Sequence, residues 1–350
     1  MHTRAILVLG FAFCLAAAPR FLAAQAPASE AADHAMAEEN QSTDEVLPET
    51  ERHWMHQIHR ALDAEQFEKL DRMAAEVRQS KARLPGGGWR LEDFYGVVDA
   101  IGANDAETEA RIARLERWIA ARPQSITPRV AMAGVLHRWA WRARGSATAD
   151  KVTEQGWQLL AERLKRADKV LTEAQKLPEA CPHLYFDWLK TGLGLDWEPG
   201  QMRALFDQAV KAEPDYILDY HIYANYLQPK WDGQPGEATA FAKTAADRIG
   251  GPEGDMIYFQ IALSLIHRGN PGIHAKEMDW TRIQRGYTAT RDHYGVTNQQ
   301  DNRMAYMAWK FRDRTFAAQQ FQIIGDHWSK KVWGDRETFD KARQWGTGPA

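Results

Sequence analysis

Two carboxylate pairs in this chain stand beside aromatic residues: Asp196 with Glu198 around Trp197, and Asp219 with Asp232 near Tyr220, Tyr223, Tyr226 and Trp231. Glycan-cutting chemistry needs an acid and a second carboxylate across a cleft, and rings there can stack on a sugar. Carboxylates two apart are also common on solvated loops, and no Ser/His/Asp arrangement carries a recognisable local motif. No catalytic residue is therefore assigned. The aromatics have a second use, which is binding. Trp197, Tyr216, Tyr220, Tyr223, Tyr226 and Trp231 can gather on one concave side to clamp a peptide or stack on a sugar. The plainer alternative is a set of wedges that fix the angles between helix pairs.

Other reactive residue types give less. His53, His56 and His59 recur every third position on one helix face, but no HExxH or Cys/His pair accompanies them. They read as a polar face, and no metal or other cofactor is expected. Cys181 precedes Pro182 at a helix start, where a helix N-terminus can lower a thiol pKa. A small buried cap residue is the simpler role. Gly86-Gly87-Gly88 lacks the Gly-Lys-Ser/Thr ending of a phosphate loop, so it reads as a flexible turn presenting Trp89.

The elements that must position these residues are helical. His183 to Tyr216 reads as two helices, one carrying Leu184, Tyr185, Trp188 and Leu189, the other Leu205, Phe206, Ala209 and Val210. Pro199-Gly200 separates them and Pro214 closes the second. Neither buries its apolar face without a neighbour, which is the grammar of a helical repeat. Similar stripes run from Glu51 with a break near Asp63-Ala64, over Ala106 to Ala121, from Thr127-Pro128 to Gly145, and over Thr153 to Leu177. Further ones cover Ile217 to Leu227, Glu237 to Ile249, Asp255 to His267, Ala275 to Tyr294, Asn302 to Phe311, Asp313 to Trp328 and a last helix from Asp335. Strand alternation is missing, and short Gly/Pro loops between such helices imply antiparallel neighbours. The expected class is all-α: antiparallel helix pairs stacked over 51–350 as one repeat domain, with a charged C-terminal capping helix.

Ahead of that domain, Met1–Arg4 gives a positive start, Ala5–Ala18 an apolar run, and Leu22-Ala23-Ala24 a cleavage-like end. Residues 1–24 thus read as a signal peptide and the protein as exported, periplasmic or secreted. The run is too short to span a bilayer, so no integral span is expected after the leader is removed. Residues 25–50 carry Glu30, Asp33, Glu38, Glu39, Asp44, Glu45 and Glu49 with no Lys or Arg, the composition of a disordered acidic linker. The whole chain has a formal charge of −3, and losing Arg4 and Arg20 makes it −5. Nothing in that balance favours nucleic acid. With Cys14 in the leader, Cys181 stands alone and no internal disulfide can form.

At His183–Tyr216 the spacing resembles a tetratricopeptide repeat: Phe186, Leu189 and Leu193 on the first helix, and Phe206, Ala209 and Pro214 on the second. Lys190 stands where that family has a small residue, and Met202 where it has an alanine. A broader resemblance rests on four stretches. They are Gly88-Trp89-Arg90-Leu91 before Phe94-Tyr95, Trp141-Arg142-Ala143-Arg144-Gly145, Tyr223-Ala224-Asn225-Tyr226-Leu227 with Pro229-Lys230-Trp231, and Gly325-Asp326 before Trp333-Gly334. These are similar to an uncharacterised bacterial family, domain of unknown function 4034. That resemblance implies an exported helical-repeat module and brings no established activity, ligand or catalytic residue. Together the readings point to a non-enzymatic scaffold of the bacterial envelope that binds a protein or peptide on an irregular tetratricopeptide-like superhelix. A glycan-binding or glycan-acting protein is the alternative. Open superhelix and closed toroid both use antiparallel pairs, so the sequence leaves that choice open.

Overall fold

The computed structural model describes residues 49–231, 233–268 and 275–349. The leader and nearly all of the acidic stretch lie outside the described residues, as does Asp232. Helix follows helix: α1 Glu49–Asp63, α2 Phe67–Ser80, α3 Arg90–Val98, α4 Asp105–Ala121, α5 Thr127–Arg144, α6 Glu154–Ala174, α7 Pro182–Gly194 and α8 Pro199–Ala212. The second half holds α9 Ile217–Tyr226, α10 Glu237–Ile249, α11 Gly251–Arg268, α12 Trp280–Tyr294, α13 Asn298–Phe311, α14 Arg314–Ile324, α15 Lys330–Trp333 and α16 Arg336–Thr347. The class is all-α, and among the described residues no helix is long and apolar enough to cross a membrane.

Most helices pack on their successors, the exceptions being α3 with α4, α12 with α13 and α14 with α15, and the odd-numbered helices from α1 to α13 also pack on one another in sequence. Their even-numbered partners make no comparable contact with each other before α14 meets α16. A double layer whose one side is in mutual contact and whose other side is splayed must curve, with the contacting side inward. The odd helices are thus the inner layer of a helical-repeat superhelix. Their composition agrees with that place, because α5 and α9 are buried nearly all round rather than along one stripe.

Local chemistry sets the boundaries. The Asn104 side chain accepts from Glu107 N, Thr153 from Gly156 N and Asp335 from Thr338 N, each occupying an orphan donor at a helix start. Two expectations shift. Asp279 caps a new helix at Trp280, so the run from Ala275 is broken; its neighbours 269–274 lie outside the described residues. Gly325, at φ +57°, ends α14 four residues before the apolar pattern does. In α3, Leu91, Glu92, Phe94, Tyr95, Val97 and Val98 are all buried, so only Arg90, Asp93 and Gly96 keep a narrow half-buried face.

The triple-glycine loop is a strap rather than a free turn. Trp89, which begins α3, is fully buried instead of presented. Arg90 N donates to Ala82 O and Leu84 N to Gly88 O, folding 82–90 back on itself. The tip then crosses to the far end of the inner layer. Gly86 N donates to Gly295 O at 2.9 Å, and Gln260 Nε2 donates to Gly86 O at 2.6 Å. Gly86 and Gly87 sit at φ +93° and +83°, and a Cβ on Gly86 would come within 2.5 Å of the Gln300 amide. Residues early in the chain are thereby tied to α11, α12 and α13.

Candidate functional site

The tyrosines on α9 hold positions set by that inner layer. Tyr216 is fully buried, with its hydroxyl 2.6 Å from His183 Nδ1 and its ring edge-on to Trp89. Tyr220 donates to Pro214 O, Tyr223 stacks on Phe206 at 4.3 Å, and Tyr226 stacks beside Tyr223. All four rings are in the core. The two tryptophans are half-buried and lie apart from them. Trp197 lies over Gly192 and edge-on to Trp188, while Trp231 packs edge-on to Trp141. Asp196 and Glu198 are exposed, with Asp196 at φ +57° in the turn before α8.

Burial reveals a second set that spacing does not. α7 turns His183, Asp187 and Lys190 to one side, and each is buried. Lys190 Nζ lies 2.7 Å from Asp187 Oδ1 and 4.3 Å from the Phe186 ring centre. This explains a lysine where the repeat pattern has a small residue, because it neutralises a carboxylate one turn earlier. From α5, Arg138 reaches Asp99 at 3.2 Å, and Gly134 leaves room for that carboxylate, since a Cβ there would meet it at 2.5 Å. The His183 ring stacks on Tyr95 at 4.3 Å. Burial, helped by the Lys190 charge, lowers its pKa to about 3, so it is a neutral imidazole.

Asp219, from α9, completes the set with a different character. It is 1% exposed, and neither carboxylate oxygen has a hydrogen-bond partner among the described residues. Its strongest charged neighbours are two more acids, Glu92 and Asp187. Burial first, and then those charges, push its pKa well above the usual carboxylate range. Asp187 is also raised by burial, with Lys190 and Arg138 opposing. Half-buried groups stand elsewhere on α5 and in the loop after α9. Trp141 Nε1 donates to His137 Nε2 at 2.9 Å, and Trp231 packs across Trp141 with its own Nε1 buried and without a hydrogen-bond partner among the described residues.

Neither Cys181 nor the early histidines build a reactive centre. The thiol is buried 3.2 Å from Tyr95 Oη, and burial raises its pKa despite Arg78 nearby. His53, His56 and His59 are all exposed. Among the described residues, no group of three or more His, Cys, Asp or Glu is placed to hold a metal ion.

The segment from Trp54 in α1 to the last residue of α6 matches a family described as Domain of unknown function (DUF4034). The matched stretch includes the strap, Glu92, Asp99, Arg138 and Trp141, and it ends before His183, Asp187, Lys190 and Asp219. The buried charged residues therefore come half from within the matched stretch and half from the helices that follow it. No curated protein and no solved structure matches this chain.

Proposed function

We propose that this chain is an exported, non-enzymatic helical-repeat scaffold that binds a protein or peptide on its inner layer. The observation that carries the reading is the continuous odd-helix layer, with the half-buried group His137, Trp141 and Trp231 on it. Aromatic anchors beside a charged group such as Arg138 are the residue types that dominate protein interfaces. Export rests on the leader-like start at Met1–Ala24.

The test is affinity capture from a periplasmic or secreted fraction. The mature chain is compared with a Trp141→Ala/Trp231→Ala variant of matched helicity. Those two indoles are preferred to Tyr223 and Tyr226, whose truncation would open the core. A species retained by the parent and lost by the variant supports the scaffold role. Equal retention by both chains, or none by either, removes it.

A further inference from the structure

The tip of the strap lies on the inner layer as a bound peptide would. Gly86 pairs both of its main-chain groups there. Its N–H donates to Gly295 O at 2.9 Å, and its carbonyl accepts from Gln260 Nε2 at 2.6 Å and from Gln300 Nε2 at 3.4 Å. Gln260 belongs to α11 and Gln300 to α13, so two inner-layer helices aim carboxamides at one carbonyl. Main-chain pairing of this kind supplies affinity for a peptide, and what lies beside it supplies the selectivity.

Two features select what can lie there. Gly86 sits at φ +93°, a conformation that L side chains rarely adopt, and a Cβ on it would come within 2.5 Å of the Gln300 amide. Three residues earlier, the Arg83 guanidinium stands 5.8 Å from the Tyr294 ring centre and pairs with Asp215. The seat thus reads a glycine and a cation three positions before it. Tip and base of the strap are held differently. At the base, Trp89 is fully buried, edge-on to Tyr216, and its Nε1 donates to Asp215 O. The tip keeps its own fold through Leu84 N to Gly88 O, Gly87 N to Leu84 O and Arg83 Nη1 to Gly87 O, so it can leave the seat as a unit. Gln260, Tyr294 and Gln300 are only half-buried with the tip in place, within reach of a competitor.

We propose that residues 83–87 are an autoinhibitory stand-in for a partner. They fill a peptide seat made by Gln260, Tyr294, Gly295 and Gln300, and a partner segment with arginine three residues before a glycine displaces them. The inference rests on the scaffold reading for the existence of a partner, but not for its contacts at Trp141 and Trp231. A tethered segment competes at an effective concentration of about millimolar, so free peptide at lower concentration takes the seat only when the tether fits badly.

The test is calorimetric titration of the mature chain with the acetylated, amidated peptide Ala-Arg-Leu-Pro-Gly-Gly-Gly, the sequence of residues 82–88. In Gly86→Ala the strained tip leaves the seat, and this chain should bind the peptide at least roughly tenfold more tightly than the parent does. Adding Gln260→Ala to that variant should weaken binding again by roughly tenfold, the size of a lost hydrogen bond. Peptides with alanine in place of the first glycine, or norleucine in place of arginine, should bind the Gly86→Ala chain less well. Equal binding by the parent and Gly86→Ala, no binding by either, or binding that Gln260→Ala leaves unchanged overturns the seat. Equal binding of all three peptides overturns its selectivity for arginine and glycine. Circular dichroism checks that each variant keeps its helicity. If Gly86→Ala does not fold, Gly87→Ala, at φ +83°, takes its place with the same expected outcomes. Failure here is separable from failure of the scaffold reading. Partner capture without peptide binding removes the seat and keeps the scaffold, and peptide binding with nothing captured keeps the seat and removes the scaffold.

Discussion

Replacing Lys190 by methionine tests the buried ion pair on α7 and, through it, the account of the buried charges. The side chains of Lys190 and Asp187 are 7% and 0% exposed and their charges lie 2.7 Å apart. Removing one member of a buried pair typically costs about 3–5 kcal/mol, because the other is left charged and dry. Asp187 can escape part of this by taking a proton, since burial already raises its pKa above the usual 3.8. About 3 kcal/mol is therefore the expected loss for Lys190→Met at neutral pH. A carboxyl whose folded pKa is raised stabilises the fold below 3.8, and that contribution is lost as pH rises through the folded value. The deficit of Lys190→Met should accordingly shrink as pH falls from 7 toward 4. Asp187→Leu/Lys190→Met, which removes both charges, should recover most of it and can exceed the parent. Urea unfolding followed by circular dichroism reads this as a shift in midpoint at unchanged slope. A single variant within about 0.5 kcal/mol of the parent would refute the reasoning, as would a double variant no better than the single one.

Other expectations follow from separate features. Gly286→Ala on α12 should destabilise by about 1–3 kcal/mol despite alanine's better helix propensity, because its Cβ would strike the α11 backbone at Asp255 and lie 2.6 Å from Phe259 Cβ. The same change at Gly96, with nothing within 4 Å, should be neutral or stabilising, and parallel thermal melts compare the two. His183, with its pKa lowered from 6.5 to about 3, contributes stability above pH 6.5 that is lost as pH falls toward 3. His183→Gln should flatten that slope, which is worth on the order of 5 kcal/mol across the window, in unfolding curves taken at intervals of pH. Asp313→Ala should cost about 2–3 kcal/mol in urea unfolding. It removes the cap on Phe316 N and strands the Trp280 indole and the Gln284 amide, both of which donate to Asp313 Oδ2.

Helices with one apolar stripe were legible from period alone, and α4, α6, α8 and α16 follow their pattern closely. α3 was not, because a nine-residue helix that buries six positions, Glu92 among them, leaves too narrow a polar face to read. The strap was misread for a related reason. Three glycines signal freedom to turn, but what they turn toward, Gln260 and Gly295, lies more than 170 positions away. Separation along the chain also hid the buried charges of α3, α7 and α9. Lys190 and Met202 stood out as departures from the repeat, yet only the packed structure shows Lys190 meeting Asp187 and Met202 fully buried in the core. The Tyr-rich helix drew attention for its rings, whereas the unusual residue on it is the carboxyl between them, Asp219.

The bridge from Gly86 to Gly295 and Gln260 changes what kind of object the array is. A solenoid whose units touch only their neighbours has stabilities that add along a line, so units can be gained, lost or melted from an end. Once an early loop is latched to late helices, the stretch between them becomes a loop, and the two ends of that stretch share one fate. Fraying at α12 and α13 loosens the seat of the strap, and lifting the strap unseats α12 and α13. Such a chain should resist lengthening by whole repeats, because an added pair displaces the seat from its latch. Its size is set by closure rather than by the number of copies.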